Sequence, residues 1–316
     1  MRPLASVVVP NWNGAHLLGP CLDALYRQTY TPLEVLVADG NSRDGSAELV
    51  LRTYPAVRLL RLYRNRGFAG NVNAGLRAAR GDVLLLLNND AEPEPDWVAA
   101  CVGTLLADAS TGAVASKILY CDRQTINSAG DELARNGRPV QRGSGEEDGP
   151  EWDLPTAVFG ASGGAAAYRR AMLEDVGLLD EVFFAYLEDM DLAFRAQLRG
   201  WTCIYQPAAR VYHRGGATGG GQLESYYNGR NLIRLLVKDL PTGLARALFP
   251  GIIRYQVQRA REALAAWRGP AARATLRGQV AGLLGMPRHL ADRAAVQRRR
   301  RVSDVNVLNL LAPETT

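Results

Sequence analysis

The first 120 residues alternate between short apolar, β-rich runs and stretches with helical spacing. Ala5–Pro10 (ASVVVP), Leu33–Asp39 (LEVLVAD), Val57–Leu62 and Val83–Leu87 (VLLLL) read as strands. Ala15–Gln28, Asp44–Arg52, Ala69–Arg80 and Pro93–Ala107 read as the helices between and after them. Strands and helices alternating at this spacing predict βαβ units. The continuous apolar runs fit strands covered on both faces, so the expected class is α/β, Rossmann-like, with a mostly parallel central sheet. After Lys117 the pattern weakens. Residues 121–153 are polar and Gly-rich and read as a long surface loop. Residues 157–213 hold a Gly/Ala segment, an acidic helix start and two short strand candidates. From Leu223 the spacing is helical, with Pro241, Pro250, Pro270 and Pro287 expected to cut the tail into segments.

Composition narrows the class. An apolar fraction of 47% and a charged fraction of 22% over 316 residues exclude a disordered chain, a collagen-like fibre and a small disulfide scaffold. No run of about 18 apolar residues occurs, so no membrane-spanning helix is expected. The start, MRPLASVVVPNWNG, lacks the apolar core and cleavage site of a signal peptide. Cys21, Cys101, Cys121 and Cys203 form no CxxC pair, which reads as reduced thiols in a cytoplasmic protein. Charge is uneven: residues 241–316 carry 13 Arg against four acids, and residues 1–240 carry 24 basic against 28 acidic groups. A mildly acidic body with a strongly basic tail points to a polyanionic partner.

Candidate chemistry lies where strands end, because open α/β sheets bind ligands beyond the carboxyl ends of their strands. The first strand leads into Pro10-Asn11-Trp12-Asn13-Gly14, the second into Asp39-Gly40-Asn41-Ser42-Arg43-Asp44, and the fourth into Asn88-Asn89-Asp90. Each acid alone reads more readily as a turn or cap residue than as a ligand; three on one rim point to a site. Asp90 is the sharpest, since four leucines end there in two amides and a carboxylate able to hold a divalent cation against a diphosphate. The segment Asn65–Gly75 puts small residues at a helix start, where a phosphate could approach backbone amides, though it is neither GxGxxG nor a Walker loop. Glu188, Asp189 and Asp191 crowd three acids into one helix start, a pattern that suggests caps together with one general base. His213 reads either as an exposed histidine or as a ligand beside a metal.

Taken in order, these segments resemble the family 2 inverting glycosyltransferases of the GT-A fold, near the bacterial rhamnosyltransferase-like and galactofuranosyltransferase-like members. The matching segments are VVVPNWNG, VADGNSRDGS, NRGFAGNVNAGLRAARGDVLLLLNND, FGASGGAAAYRR, FFAYLEDMDLAFR, VYHRGG and YYNGRNLIRLL, over about residues 5–238. The resemblance implies a GT-A catalytic domain over 1–238 and a basic, mainly helical extension over 239–316. It implies donor contacts from Pro10, Asn11, Asn13 and Asp39, the last to the base edge, and from Asn65, Gly70, Asn71, Asn73, Asn88 and Asn89. It implies Mn²⁺ or Mg²⁺ on Asp90 and His213, and Asp189 as catalytic base. Gly163, Gly164, Glu188, Asp191 and Arg230 fall on the acceptor side. Gly40 departs from the family's usual Asn. The implied function is transfer of a sugar from a dTDP-rhamnose or UDP-sugar type of donor to a glycan or lipid-linked glycan in cell-surface polysaccharide synthesis. A silent nucleotide-sugar-binding scaffold and a membrane-surface adaptor are the competing readings, and a sugar-1-phosphate nucleotidyltransferase lacks its Gly-rich basic loop.

Residues 241–301 contain all 13 tail arginines, with apolar residues at helical spacing such as Leu276, Val280, Leu283, Leu284 and Leu290. Such helices either lie on an anionic membrane at the inner face or pack on the acidic body. The absence of a reader motif or interleaved aromatics argues against nucleic acid. The sequence sets no oligomeric state.

Overall fold

The apolar runs do become strands, and the element order follows them. The computed structural model describes residues 2–215 and 220–314; Gly216 of the VYHRGG segment lies outside them. The first half runs β1 (Ala5–Asn11), α1 (Ala15–Tyr26), β2 (Leu33–Asp39), α2 (Ser46–Thr53), β3 (Arg58–Arg61), α3 (Gly67–Ala78), β4 (Val83–Leu87), β5 (Ala91–Pro93) and α4 (Trp97–Ala107). There follow β6 (Thr111–Tyr120), β7 (Ile126–Ser128), β8 (Asp131–Leu133), β9 (Pro139–Gln141), β10 (Thr156–Val158), β11 (Ala165–Arg169), α5 (Arg170–Val176), α6 (Glu188–Leu198) and β12 (Thr202–His213). The chain closes with α7 (Gly221–Asp239), α8 (Thr242–Ala265), α9 (Pro270–Leu284), α10 (Met286–Arg298) and α11 (Asp304–Leu310).

The main sheet has the order β10-β12-β6-β11-β4-β1-β2-β3, with β5 on β12 and β7 on β6. The half β4-β1-β2-β3 is wholly parallel, whereas β11 runs antiparallel between β4 and β6. Period-2 alternation sends side chains to both faces. Val7, Val9, Leu85 and Leu87 pack under Leu18, Leu22 and Trp97, while Val8, Leu84 and Leu86 pack under Val72, Leu76 and Leu192. That double cover is why these strands carry no polar face.

Three readings of the sequence need correcting. The helix expected at Pro93 begins at Trp97, because Ala91–Pro93 pairs as a short strand with β12. Asp96 holds the N-cap position but makes no capping bond; its carboxylate accepts from Thr29 Oγ1 instead (2.6 Å). The loop expected over 121–153 contains β7, β8 and β9, tied down by buried Lys117, whose ammonium donates to Asp148 and Asp153 (2.7 Å each). Strands of three residues carry too little periodicity to read. Finally, Pro241, Pro270 and Pro287 stand at helix starts, but Pro250 lies inside α8.

The tail packs on the body and also keeps an apolar face outside. Helix α9 crosses α7 through glycine: a Cβ on Gly278 would stand 2.1 Å from the Tyr226 carbonyl oxygen. Small inward residues let the two backbones touch, which leaves Val280, Leu283 and Leu284 facing outward and exposed. Leu232, Leu235, Val307 and Leu311 share a cluster with Leu133, Phe183 and Phe194, so α7 and α11 help to form one core with the body.

Candidate active site

The parallel register brings the ends of β1, β2 and β4 to one rim, and Asn11 ties them together. Asn11 Nδ2 donates to Asp39 Oδ1 (3.0 Å) and Ser42 Oγ (3.2 Å), and Asn89 Nδ2 donates to Asn11 Oδ1 (2.7 Å). Ser42 N–H donates to Asp39 Oδ2 (3.0 Å). Asn13, exposed and in the left-handed region, is held by Ser42 Oγ on its N–H (2.8 Å). Pro10, Asn11, Trp12, Asn13, Asn65, Asn71, Asn88 and Asn89 border one cleft of about 1230 Å³. Its size suits a nucleotide-bearing ligand.

Asp90 and His213 meet through backbone register. Antiparallel pairing of β12 with β5 sets His213 opposite Ala91, and Arg214 N–H donates to the Asp90 carbonyl (3.1 Å). His213 Nε2 then lies 3.1 Å from Asp90 Oδ1, while Nδ1 faces Asn127 Oδ1 at 3.0 Å. An Nδ1–H bonded to Asn127 leaves the Nε2 lone pair facing a carboxylate oxygen, an arrangement that suits a shared cation. Asn88 Oδ1 is buried nearby in sequence and has no hydrogen-bond donor. Among the described residues no group of three or more His, Cys, Asp or Glu converges on a metal-sized site. Asp90 and His213 would give such a cation two protein ligands, a set that suits Mn²⁺ or Mg²⁺.

Across the cleft the three crowded acids separate into three environments. Asp189 Oδ2 accepts the Gly163 N–H (2.8 Å) and Oδ1 accepts the Met190 N–H (2.8 Å). Burial pushes its proton affinity above the usual aspartate range, against the pull of those amides. Glu188 is buried with Oε2 unpaired, and burial, then the Asp189 charge, push it well up. Asp191 is 0% exposed and ionised between Arg195 Nε (2.8 Å) and Lys238 Nζ. The two cations hold it below the usual range despite burial.

The backbone before α6 is strained into place. Phe184, Tyr186 and Leu187 all have φ between 66° and 68°, a region that costs non-glycine residues energy. Asn231 Nδ2, fully buried on α7, donates to the carbonyls of Phe183 (3.0 Å), Ala185 (2.9 Å) and Tyr186 (2.8 Å). The amide of Asn231 thus holds the turn that aims Asp189.

The sequence model described as Glycosyl transferase family 2 matches residues 6–177, more than half of the chain. The chain belongs to glycosyl transferase family 2. A further model, Glycosyl transferase family group 2, matches residues 148–282. An N-acetylglucosaminyl-diphospho-decaprenol L-rhamnosyltransferase of Mycobacterium tuberculosis is 27% identical, over 95% of this chain and 97% of its own. The mannosyltransferase PcManGT of Pyrobaculum calidifontis, solved with GDP-Man and Mn²⁺, superposes with a TM-score of 0.59 at 23% identity, covering 94% of this chain and 88% of its own. TarS 1–349 of S. aureus superposes at 0.54 and 16% identity, over 79% and 70% of the two chains. The fold is that of the GT-A glycosyltransferases.

Several residues assigned by resemblance to the family 2 site stand elsewhere in this member. Asp191 does not orient a substrate, because both its oxygens are engaged in buried ion pairs. Asn73 does not border the cleft and pins the loop between α5 and α6, donating to the Leu179 carbonyl (2.8 Å) and accepting the Leu179 N–H (3.1 Å). Gly70 packs on Arg66, whose Cβ would lie 2.5 Å from a Cβ there. Asp39 is fully buried and does not border the cleft; its oxygens accept from Asn11 and Ser42. Arg230 lies outside the cleft, its guanidinium 5.9 Å from the Tyr227 ring centroid. Gly163, Gly164 and Glu188 do border it.

At Gly40, where the sequence departs from the family's usual Asn, a Cβ would meet Asn71 Nδ2 at 2.6 Å, so Asn71 would have to turn to admit a side chain. The start of α3 is also less open to phosphate than its glycines suggest. The Gly67 N–H donates to Asn65 Oδ1 (2.9 Å) and the Ala69 N–H to the Phe184 carbonyl (3.1 Å). Sequence reasoning missed Asn127, Asp131 and Asn231. Asn231 stood inside the noted YYNGRNLIRLL segment, whereas Asn127 and Asp131 sat in the stretch read as loop.

Proposed function

We propose that this family 2 glycosyltransferase moves a sugar from a nucleoside-diphosphate donor to a hydroxyl of a glycan or lipid-linked glycan, with inversion, in cell-surface polysaccharide synthesis. The observation that carries this is that one cleft is bordered both by a half-buried carboxylate held by two backbone amides and by the Asp90–His213 pair. The likeness to an L-rhamnosyltransferase of M. tuberculosis supports a rhamnosyl donor, of which dTDP-rhamnose is the type proposed here. Trp12, Asn11 and Asn65 border the nucleotide end. Asp189 takes the proton from the acceptor hydroxyl as its oxygen attacks the anomeric carbon opposite the leaving diphosphate. One base suffices for this displacement, so no covalent intermediate is needed. Asp90 and His213 would hold Mn²⁺ or Mg²⁺, which when bound neutralises charge on the departing nucleoside diphosphate.

Asp90→Ala is expected to abolish the metal dependence of donor binding. Titrating donor into wild type and variant, with Mn²⁺ and then with EDTA, checks this. An EDTA effect of equal size in both proteins would place the metal elsewhere.

Among the described residues no helix is long and apolar enough to cross a membrane. We assign residues 239–316 a peripheral docking role at an anionic membrane. The support is one exposed stripe of α8, where Phe249 (59% exposed), Ile253, Val257 and Leu264 lie beside Arg254 and Arg261. Co-sedimentation with phosphatidylglycerol vesicles but not phosphatidylcholine vesicles is the expected result, weakening with salt. Equal recovery with both lipids contradicts a charge-driven contact.

A further inference from the structure

Asp131 opens β8 and borders the same cleft as Asp189, yet no part of the reaction above uses it. Its position is fixed by a two-way backbone bridge: its N–H donates to the Gly160 carbonyl (2.9 Å) and the Gly160 N–H to its own carbonyl (3.1 Å). Three residues further on, Gly163 donates to Asp189. One short segment therefore sets both carboxyls. Asp131 is 5% exposed, and among the described residues its side chain bonds only to Ser128 Oγ, at a long 3.4 Å from Oδ1. The groups facing it are Asp189 from α6, beside Glu188, together with Tyr168 from β11 and Cys203 from β12. Arg142, just past the paired strand β9, directs its guanidinium to the Ala129 carbonyl (3.3 Å) and to Glu132 (3.9 Å).

We propose that Asp131 binds the acceptor, its carboxyl holding a sugar hydroxyl adjacent to the one that Asp189 deprotonates. This rests on the transferase reading above and adds to it a substrate class, an acceptor sugar with two neighbouring free hydroxyls. A carboxyl buried without a cation is costly as an anion. Burial, then the Asp189 charge, push Asp131 well above the usual carboxylate range. Asp189, by contrast, has a backbone amide on each oxygen, and these oppose the effect of burial and favour its charged form. Two carboxyls in one cleft thus divide into a hydrogen-bond donor and a proton acceptor. In the reaction the acceptor proton passes to Asp189, and the Asp131 proton stays where it is.

The test compares wild type with Asp131→Asn and Asp131→Ala, using octyl β-glycosides of glucose, galactose and N-acetylglucosamine as acceptors. Asp131→Ala is expected to raise the acceptor KM about tenfold or more, with donor affinity unchanged. Asp131→Asn keeps an N–H donor in place and is expected to recover most of that loss. A purely structural role would instead lower donor affinity and acceptor use together in both variants. Infrared difference spectra of ¹³C-aspartate-labelled protein need no acceptor. At neutral pH they are expected to show a protonated carboxyl in wild type that disappears in Asp131→Asn. An unchanged acceptor KM in Asp131→Ala, or no such band, overturns the proposal. If wild type binds no nucleotide sugar, the transferase reading fails first. If it binds donor but uses none of these glycosides, the infrared result decides.

Discussion

Asp189→Asn is expected to lower sugar transfer by about 10²–10⁴-fold while leaving donor affinity as in wild type. The amide fills the same space and keeps an oxygen to accept from Gly163, but it cannot take a proton. In the reaction proposed above, donor affinity is set by Asn11, Asn65, Asp90 and His213, none of which is a hydrogen-bond partner of residue 189. The pH profile gives an independent check. Burial raises the proton affinity of Asp189, so wild-type activity is expected to fall with acidification at a pH above the ordinary aspartate value of about 3.9. The residual activity of Asp189→Asn should lack that acid limb. A variant that keeps the limb would move the base to another residue.

Lys238→Met is expected to destabilise the fold by about 3 kcal/mol, the lower end of the range for breaking a buried ion pair. Lys238 has a side chain only 5% exposed and donates to Asp191 and Asp180 (2.8 Å to the latter). Arg195 still faces Asp191 in the variant, which is why the loss stays at the low end. The network continues through Arg234, which bonds Asp180, Asp292 (2.8 Å) and His289 Nδ1 (3.0 Å), so α10 is tied to the base-bearing helix. Asp239 stands in the same cluster with both oxygens lacking a donor; burial, then the Asp191 charge, push it well up. The pH dependence has a definite sign. Asp180 and Asp191 have folded proton affinities held below the unfolded value by Lys238, Arg234 and Arg195, so their stabilisation is complete above about pH 4. It is lost as pH falls through the folded values. The gap between wild type and Lys238→Met in urea melts should therefore be widest near neutrality and close on acidification. A gap of less than about 1 kcal/mol at pH 7 would mean that the pair contributes no more than a surface ion pair.

What the sequence made legible was local. A strand that ends in Asn88-Asn89-Asp90 announces its own rim, because the apolar run and the polar exit are adjacent in the chain. The family resemblance singles out Asp189 as base, but the environments of Glu188, Asp189 and Asp191 were not legible, because they depend on partners far away. Lys238 stands 47 residues from Asp191, and Gly163 stands 26 residues from Asp189. Only the fold decides which acid meets a cation and which meets an amide. Asp131 and Asn127 were hidden for another reason: their strands are three residues long or end at them, and pairing rather than pattern creates those strands. The outward leucines of α9 follow from Gly278 and Gly282 on its inward face, a helix contact made by absent side chains.

The central claim is that this cleft binds and activates a nucleotide sugar with the help of a divalent cation. The most direct measurement is release of nucleoside diphosphate from a panel of dTDP-, UDP- and GDP-sugars, with Mn²⁺ or Mg²⁺ and then with EDTA. The account predicts slow release from one donor class, lost in EDTA and lost in Asp90→Ala. Full release in EDTA would contradict the metal site, and absence of both release and donor binding across the panel would contradict the transferase reading.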